Sequence, residues 1–168
     1  MAVGVDLNVN GDAARLTVDV PVPSNNLVVD GSWLHHQDNG DAASIAGHLT
    51  GSALSGANVK AGVGLRLNWL SRDKGEEEDG TALGIGGFLT YTLPRYDRIA
   101  FGGSAYYAPG VLSFSDVDGY YEVSTWAGYS VIPDADVYLG WRAMKADFSE
   151  DGTSTIDVGL HIGVRGRF

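Results

Sequence analysis

Carboxylates and cations recur along this 168-residue chain at positions that alternate with aliphatic residues. Asp6, Asp19, Asp30, Glu122 and Asp157 provide the carboxylates, and Lys60, Arg66, Arg98, Arg142, Arg165 and Arg167 the cations. Side chains on a strand point to opposite faces with a period of two, so these groups share one face and the aliphatic residues hold the other. Two kinds of chemistry suit such a face. One is a neutralising network that fills a narrow interior, because buried charge requires a partner. The other is the lining of an aqueous path, where ring charges set which ion passes. Ten glycines fall on the same face, Gly62, Gly64, Gly102 and Gly140 among them. They either open volume or make room for large neighbours such as Phe88, Tyr106, Trp126 and Tyr138.

The histidines carry less. His35 and His36 stand near Asp38 and Asp41, but neighbours on a strand point apart and make a poor chelate. His48 and His161 are isolated on the charged face and are expected to be hydrogen-bonded. No metal site and no cofactor is expected. Acidic stretches occur at 72–80 (Glu76, Glu77, Glu78, Asp79), at 116–119 (Asp116, Asp118) and at 150–152 (Glu150, Asp151). None has the ligand spacing of a calcium loop. Solvated negative loops are the expectation, ahead of divalent bridges to lipopolysaccharide phosphates. The formal charge of −10 argues against nucleic acid as a partner. There are no cysteines, which is compatible with an oxidising compartment.

The elements that must position these groups are short two-faced strands. Val3, Val5, Leu7 and Val9 alternate with Gly4, Asp6 and Asn8 before the turn Asn10-Gly11-Asp12. Further strands are expected over 15–20, ended by Pro21 and Pro23, and over 26–36, 43–54, 59–70, 81–93, 98–107, 120–131, 136–148 and 157–168. The stretch 59–70 is the clearest, with Val59, Ala61, Val63, Leu65, Leu67 and Trp69 against Lys60, Gly62, Gly64, Arg66 and Asn68. That makes ten strands in a single domain over 1–168, with no helical pattern and no apolar run long enough for a transmembrane helix. Short connections dictate an antiparallel meander.

Two observations turn the meander into an all-β, ten-stranded, antiparallel, up-and-down transmembrane β-barrel. Connections at 21–25, 55–58, 94–97 and 132–135 are short, while those on the other side include long ones at 71–80 and 108–119, the asymmetry of periplasmic turns and outer loops. Aromatics on the apolar face also sort by height. Trp33, Trp69, Tyr107 and Tyr121 fall at outer strand ends; Tyr91, Phe101, Tyr129 and Phe168 fall near periplasmic ends, as two interfacial belts. An Arg on the lipid face at the midplane costs about 2–4 kcal/mol, so the charged face is the lumen. On the same logic Leu65→Arg is disruptive and Gly64→Ser, one residue away on the lumen side, is tolerated apart from packing. Met1 leads directly into a strand pattern, so export requires that the sequence represent the mature form.

The last strand, DVGLHIGVRGRF, resembles the terminal strand that the barrel assembly machinery recognises, with Leu160, Ile162, Val164 and Phe168 as its signal. Omptin proteases are ten-stranded barrels with acidic and His residues at the outer rim, but none of their motif sequence is present, nor the His/Ser pattern of lipid A deacylases. The stretch YYAPGVLSFSDVDG from Tyr106 onward, with the GVRGRF ending, resembles outer-membrane barrels of the YfaZ family. That resemblance implies a bacterial outer-membrane location and brings no catalytic residue or cofactor with it. The expectation is a monomeric, non-enzymatic barrel set in outer-membrane lipid and lipopolysaccharide. Its expected activity is passive passage of ions or small solutes. A closed structural or surface-interaction barrel and a rim-located hydrolase are the alternatives.

Overall fold

The alternation is realised as a closed wall. The computed structural model describes residues 2–23, 26–51, 58–72, 78–115, 117–148 and 152–168. Its strands are β1 (Gly4–Val9), β2 (Ala13–Val22), β3 (Leu27–His36), β4 (Gly40–Thr50), β5 (Val59–Arg72), β6 (Glu78–Leu93), β7 (Tyr96–Ala108), β8 (Ser113–Ser115), β9 (Val117–Ile132), β10 (Ala135–Phe148) and β11 (Gly152–Arg167). Each pairs antiparallel with its neighbour in the order β5-β4-β3-β2-β1-β11-β10-β9-β7-β6, and β5–β6 pairing closes the ring. Ten strands thus form the barrel. The seam is short: β1 pairs β11 from Gly4↔Arg167 to Val9↔Ile162, and Val3 and Phe168 exchange backbone hydrogen bonds of 2.8 and 2.9 Å beyond it.

The facing expected from sequence holds. Leu160 and Ile162 are 65% and 63% exposed on the outside, whereas Arg142 and Glu122 are 2% and 1% exposed within. A water-soluble barrel would show the reverse. Among the described residues no helix is long and apolar enough to cross a membrane. About 9–11 residues suffice for a tilted strand to span the hydrocarbon. At 16 residues each, β6, β9 and β11 run past it as hairpins above the outer face.

Several boundaries differ from the sequence reading. Pro21 does not end β2, which continues to Val22. Beyond Asp19↔Gly4 this strand pairs only with β3, so the missing N–H of Pro21 disrupts no second ladder. β4 stops at Thr50, and the continuation expected to Leu54 and the turn expected at 55–58 fall largely outside the described residues. The loop expected over 108–119 holds a 3₁₀ turn, Gly110–Leu112, and the short strand β8, which pairs with β6 over Gly80–Ala82 where β7 has ended. On β11, Asp157 opposes Met144 and Thr155 opposes Lys145, which leaves Ile156 as the extra residue of a bulge. Ile156 and Asp157 are consequently both buried.

At Gly64 packing, which the expectation for Gly64→Ser set apart, decides against a side chain. A Cβ at Gly64 would collide with the backbone carbonyl of Gly47 and stand 2.9 Å from the Cα of His48. β4 and β5 approach too closely there for any side chain.

Candidate functional site

The lumen divides by height into three layers. Its outer part is apolar. Leu34, Leu70, Val117, Tyr120, Met144, Phe148 and Ile156 form a cluster with alanines 42, 82, 108 and 146, each at most 7% exposed. All except Val117 and Ile156 hold the same strand parity as the charged residues. They are simply nearer the outer strand ends, and the bulge delivers Ile156.

Beneath them lie two charge networks. In the first, the Glu122 carboxylate accepts from Arg15 Nη1 at 2.5 Å, Arg66 Nη1 at 2.9 Å and the Tyr120 hydroxyl at 2.7 Å. Arg66 also reaches Asp30 Oδ1 at 3.5 Å. Asp30 in turn lies 3.1 Å from His48 Nδ1, and His48 Nε2 lies 2.5 Å from the Tyr106 hydroxyl. The second network joins Arg142 to Asp157 through Nε at 2.7 Å and to Asn8 through Nη1 at 3.0 Å. Asn10 donates to the other Asp157 oxygen at 2.9 Å. Asp6 accepts from Tyr138 at 2.7 Å and from Arg165 Nε at 3.0 Å.

Below the networks the lumen is open. A cavity of about 600 Å³ runs from Arg15, Arg66, Glu122 and Arg142 down to Lys60, Thr90 and Arg167 at the end of the short turns, which is the periplasmic end. Its walls carry hydroxyls (Thr17, Thr50, Ser104, Ser124) and the half-exposed rings of Phe88 and Trp126.

The glycines on this face make room for large neighbours. Register pairs set Phe88 opposite Gly62, Trp126 opposite Gly102, Tyr138 opposite Gly163 and His161 opposite Gly140. A Cβ on Gly62 would stand 2.6 Å from Phe88 Cε1, and one on Gly102 would stand 2.5 Å from Trp126 Cε2. Each large side chain therefore lies along the wall over a glycine instead of projecting across the lumen.

Of the charged residues assigned to the lumen, Asp6, Asp19, Lys60, Arg66, Glu122, Arg142 and Arg165 stand on the cavity wall. Asp157 is buried behind Arg142. Arg98 is a correction. It is exposed at the periplasmic end of β7, beside a register shift between Thr92 and Leu93, and lines no part of the cavity. Arg15 was missed as a lumen cation although it shares the parity of Thr17 and Asp19. Arg167 pairs with Asp136 at 3.1 Å at the mouth. All eight belt aromatics are exposed on the outside, and Tyr107 opposes Tyr121 as Tyr91 opposes Phe101. Phe114 of β8, opposite Thr81, is a further exposed aromatic at the outer end. Leu160, Ile162 and Val164 face outward as well.

At the outer rim His35 Nδ1 lies 2.7 Å from Asp41, while His36 turns inward to Asn39. Among the described residues no three His, Asp or Glu side chains converge on a metal position. Glu76, Glu77, Asp116, Glu150 and Asp151 of the acidic loops lie outside the described residues.

A closed antiparallel wall, apolar outside and charged inside, defines an outer-membrane β-barrel. The family model described as "YfaZ precursor" matches residues 1–168, and the chain belongs to the YfaZ family. It is 26% identical over 168 residues to outer membrane protein YfaZ of Escherichia coli (strain K12), covering 96% of this chain and 88% of that one. Among solved structures it is similar in fold to the KdgM porin (TM-score 0.52, 9% identity, 100% of this chain and 99% of that one). It also resembles the NanC porin (0.52, 13%, 99% of each chain) and the outer membrane protease OmpT of Escherichia coli (0.53, 12%, 99% and 93%). At these identities the likeness concerns the fold alone. The protein is located in the outer membrane.

Proposed function

We propose that this barrel is a narrow channel for small solutes, shut at its outer half in the conformation described. The observation that carries the reading is the cavity. A barrel serving only as a scaffold has no need of about 600 Å³ of polar, charge-lined space reaching from the periplasmic mouth to the buried networks. The apolar cluster above it is what shuts the path, because a dry constriction opposes the passage of water and ions. The KdgM and NanC structures are named porins, and their shared fold is compatible with this reading.

The test is conductance across planar bilayers. The wild type should stay near baseline, and Leu34→Ala with Met144→Ala, which thins the apolar layer, should produce single-channel steps. Absence of steps from a variant that still folds would remove the channel reading. The second reading, a closed structural or surface-interaction barrel, would then stand, and the packed outer lumen is what favours it. The reading involves no catalysis: the exposed His35–Asp41 pair is taken as a solvated rim contact. Outer-membrane lipid, lipopolysaccharide and, during biogenesis, the barrel assembly machinery are the partners proposed for a monomer.

A further inference from the structure

Deep in the lumen, charge is paired throughout. Among the described residues on the cavity wall, two charged side chains have no ion pair and no hydrogen bond: Lys60 on β5 and Asp19 on β2. They are of opposite sign and three strands apart in the wall, with the cavity between them. Asp19 lines that space with its carboxylate laid along the wall toward β1. It opposes Gly4, where a Cβ would stand 2.7 Å from its carboxyl carbon, so the side chain lies over the glycine. Lys60 is exposed at the mouth. The same cavity wall carries two half-exposed rings, Phe88 on β6 over Gly62 and Trp126 on β9 over Gly102. Arg165 lies 4.8 Å from the Trp126 ring centroid and is already committed to Asp6.

We propose that the periplasmic half of the lumen binds a zwitterionic solute of amino-acid or dipeptide size. Its carboxylate would meet Lys60, its ammonium would meet Asp19, and an apolar side chain would rest on Phe88. A simple anion or cation would satisfy one charge and leave the other bare; a zwitterion satisfies both with no net charge brought into the barrel. The cavity volume lies within the range of about 300–1,000 Å³ usual for small-molecule sites. This rests on the proposed lumen site, but binding and conduction are separable.

The experiment uses the refolded barrel in detergent with Trp33, Trp69 and Trp141 changed to Phe, which leaves Trp126 as the reporter. The probe is the dipeptide Gly-Phe, compared with N-acetyl-Gly-Phe, which lacks the ammonium, and Gly-Phe amide, which lacks the carboxylate. Gly-Phe should give a saturable fluorescence change, and each capped form should bind about fivefold more weakly, roughly what one exposed ion pair supplies. Lys60→Ser should abolish the preference for Gly-Phe over its amide while leaving the preference over the acetylated form. Asp19→Asn should do the converse. Heat-modifiable migration on gels checks that each variant is folded. No saturable change, equal binding of the capped forms, or variants that leave both preferences intact would each overturn the proposal. Binding without conductance in any variant would keep this site and remove the channel; conductance without binding would do the opposite.

Discussion

Glu122→Ala measures whether the centre of the lumen is dry. Glu122 is 1% exposed and accepts three hydrogen bonds, two of them from Arg15 and Arg66. Deleting the carboxylate leaves two buried guanidiniums without their closest anion: Arg66 keeps the longer contact to Asp30 at 3.5 Å and the Tyr106 ring at 3.9 Å, and Arg15 keeps the Ser32 hydroxyl at 3.1 Å. Removing one side of a buried pair costs about 3–5 kcal/mol, most of it the penalty of the stranded charge. In a water-filled pore the same pair would be screened and worth about 0–1 kcal/mol. Urea titration of folding into phospholipid vesicles, followed by tryptophan fluorescence and by heat-modifiable migration, separates these values. A companion variant, Arg15→Met with Glu122→Leu, removes one of the two stranded guanidiniums and should recover part of the loss, with Arg66 still lacking its closer carboxylate. A cost below about 1 kcal/mol for Glu122→Ala would refute the closed lumen.

Three further outcomes are expected. Leu160→Arg, on an outward face 65% exposed, should destabilise bilayer folding by about 2–4 kcal/mol. Its neighbour Gly159→Ser should be nearly silent in the same titration, because a Cβ there meets only Asn10 at 4.0 Å. Gly64→Ala should lower stability although it adds one methyl, since that methyl would occupy the space of the Gly47 carbonyl; circular dichroism and the urea midpoint read the loss. Deleting Phe168 removes the two backbone hydrogen bonds to Val3 that extend the β1–β11 seam, so less folded barrel should accumulate in outer-membrane fractions, with synthesis unchanged.

The sequence by itself determined the all-β class, the antiparallel meander and which face meets lipid. All three follow from local rules: a period of two, connections too short for crossovers, and a cost for Arg on the lipid side. Even the boundary error at Pro21 left facing unchanged because parity survives a shift of strand ends. What the sequence held but could not disclose strand by strand was height. Leu34, Leu70 and Phe148 share the parity of Asp30, Arg66 and Arg142, and only the cross-strand register gathers them into one apolar layer above the charges. Register likewise decided that the lumen glycines seat specific neighbours, Phe88 on Gly62 and Trp126 on Gly102. Ile156 reached the lumen through a bulge, which breaks the alternation the reading depended on. Arg98 failed for a related reason: at a strand end beside a register shift, parity no longer says where a side chain goes. Facing is a property of each residue and its two neighbours. Pairing, layering and closure depend on residues more than a hundred positions apart, such as Arg15 and Glu122, and only the closed barrel brings these together.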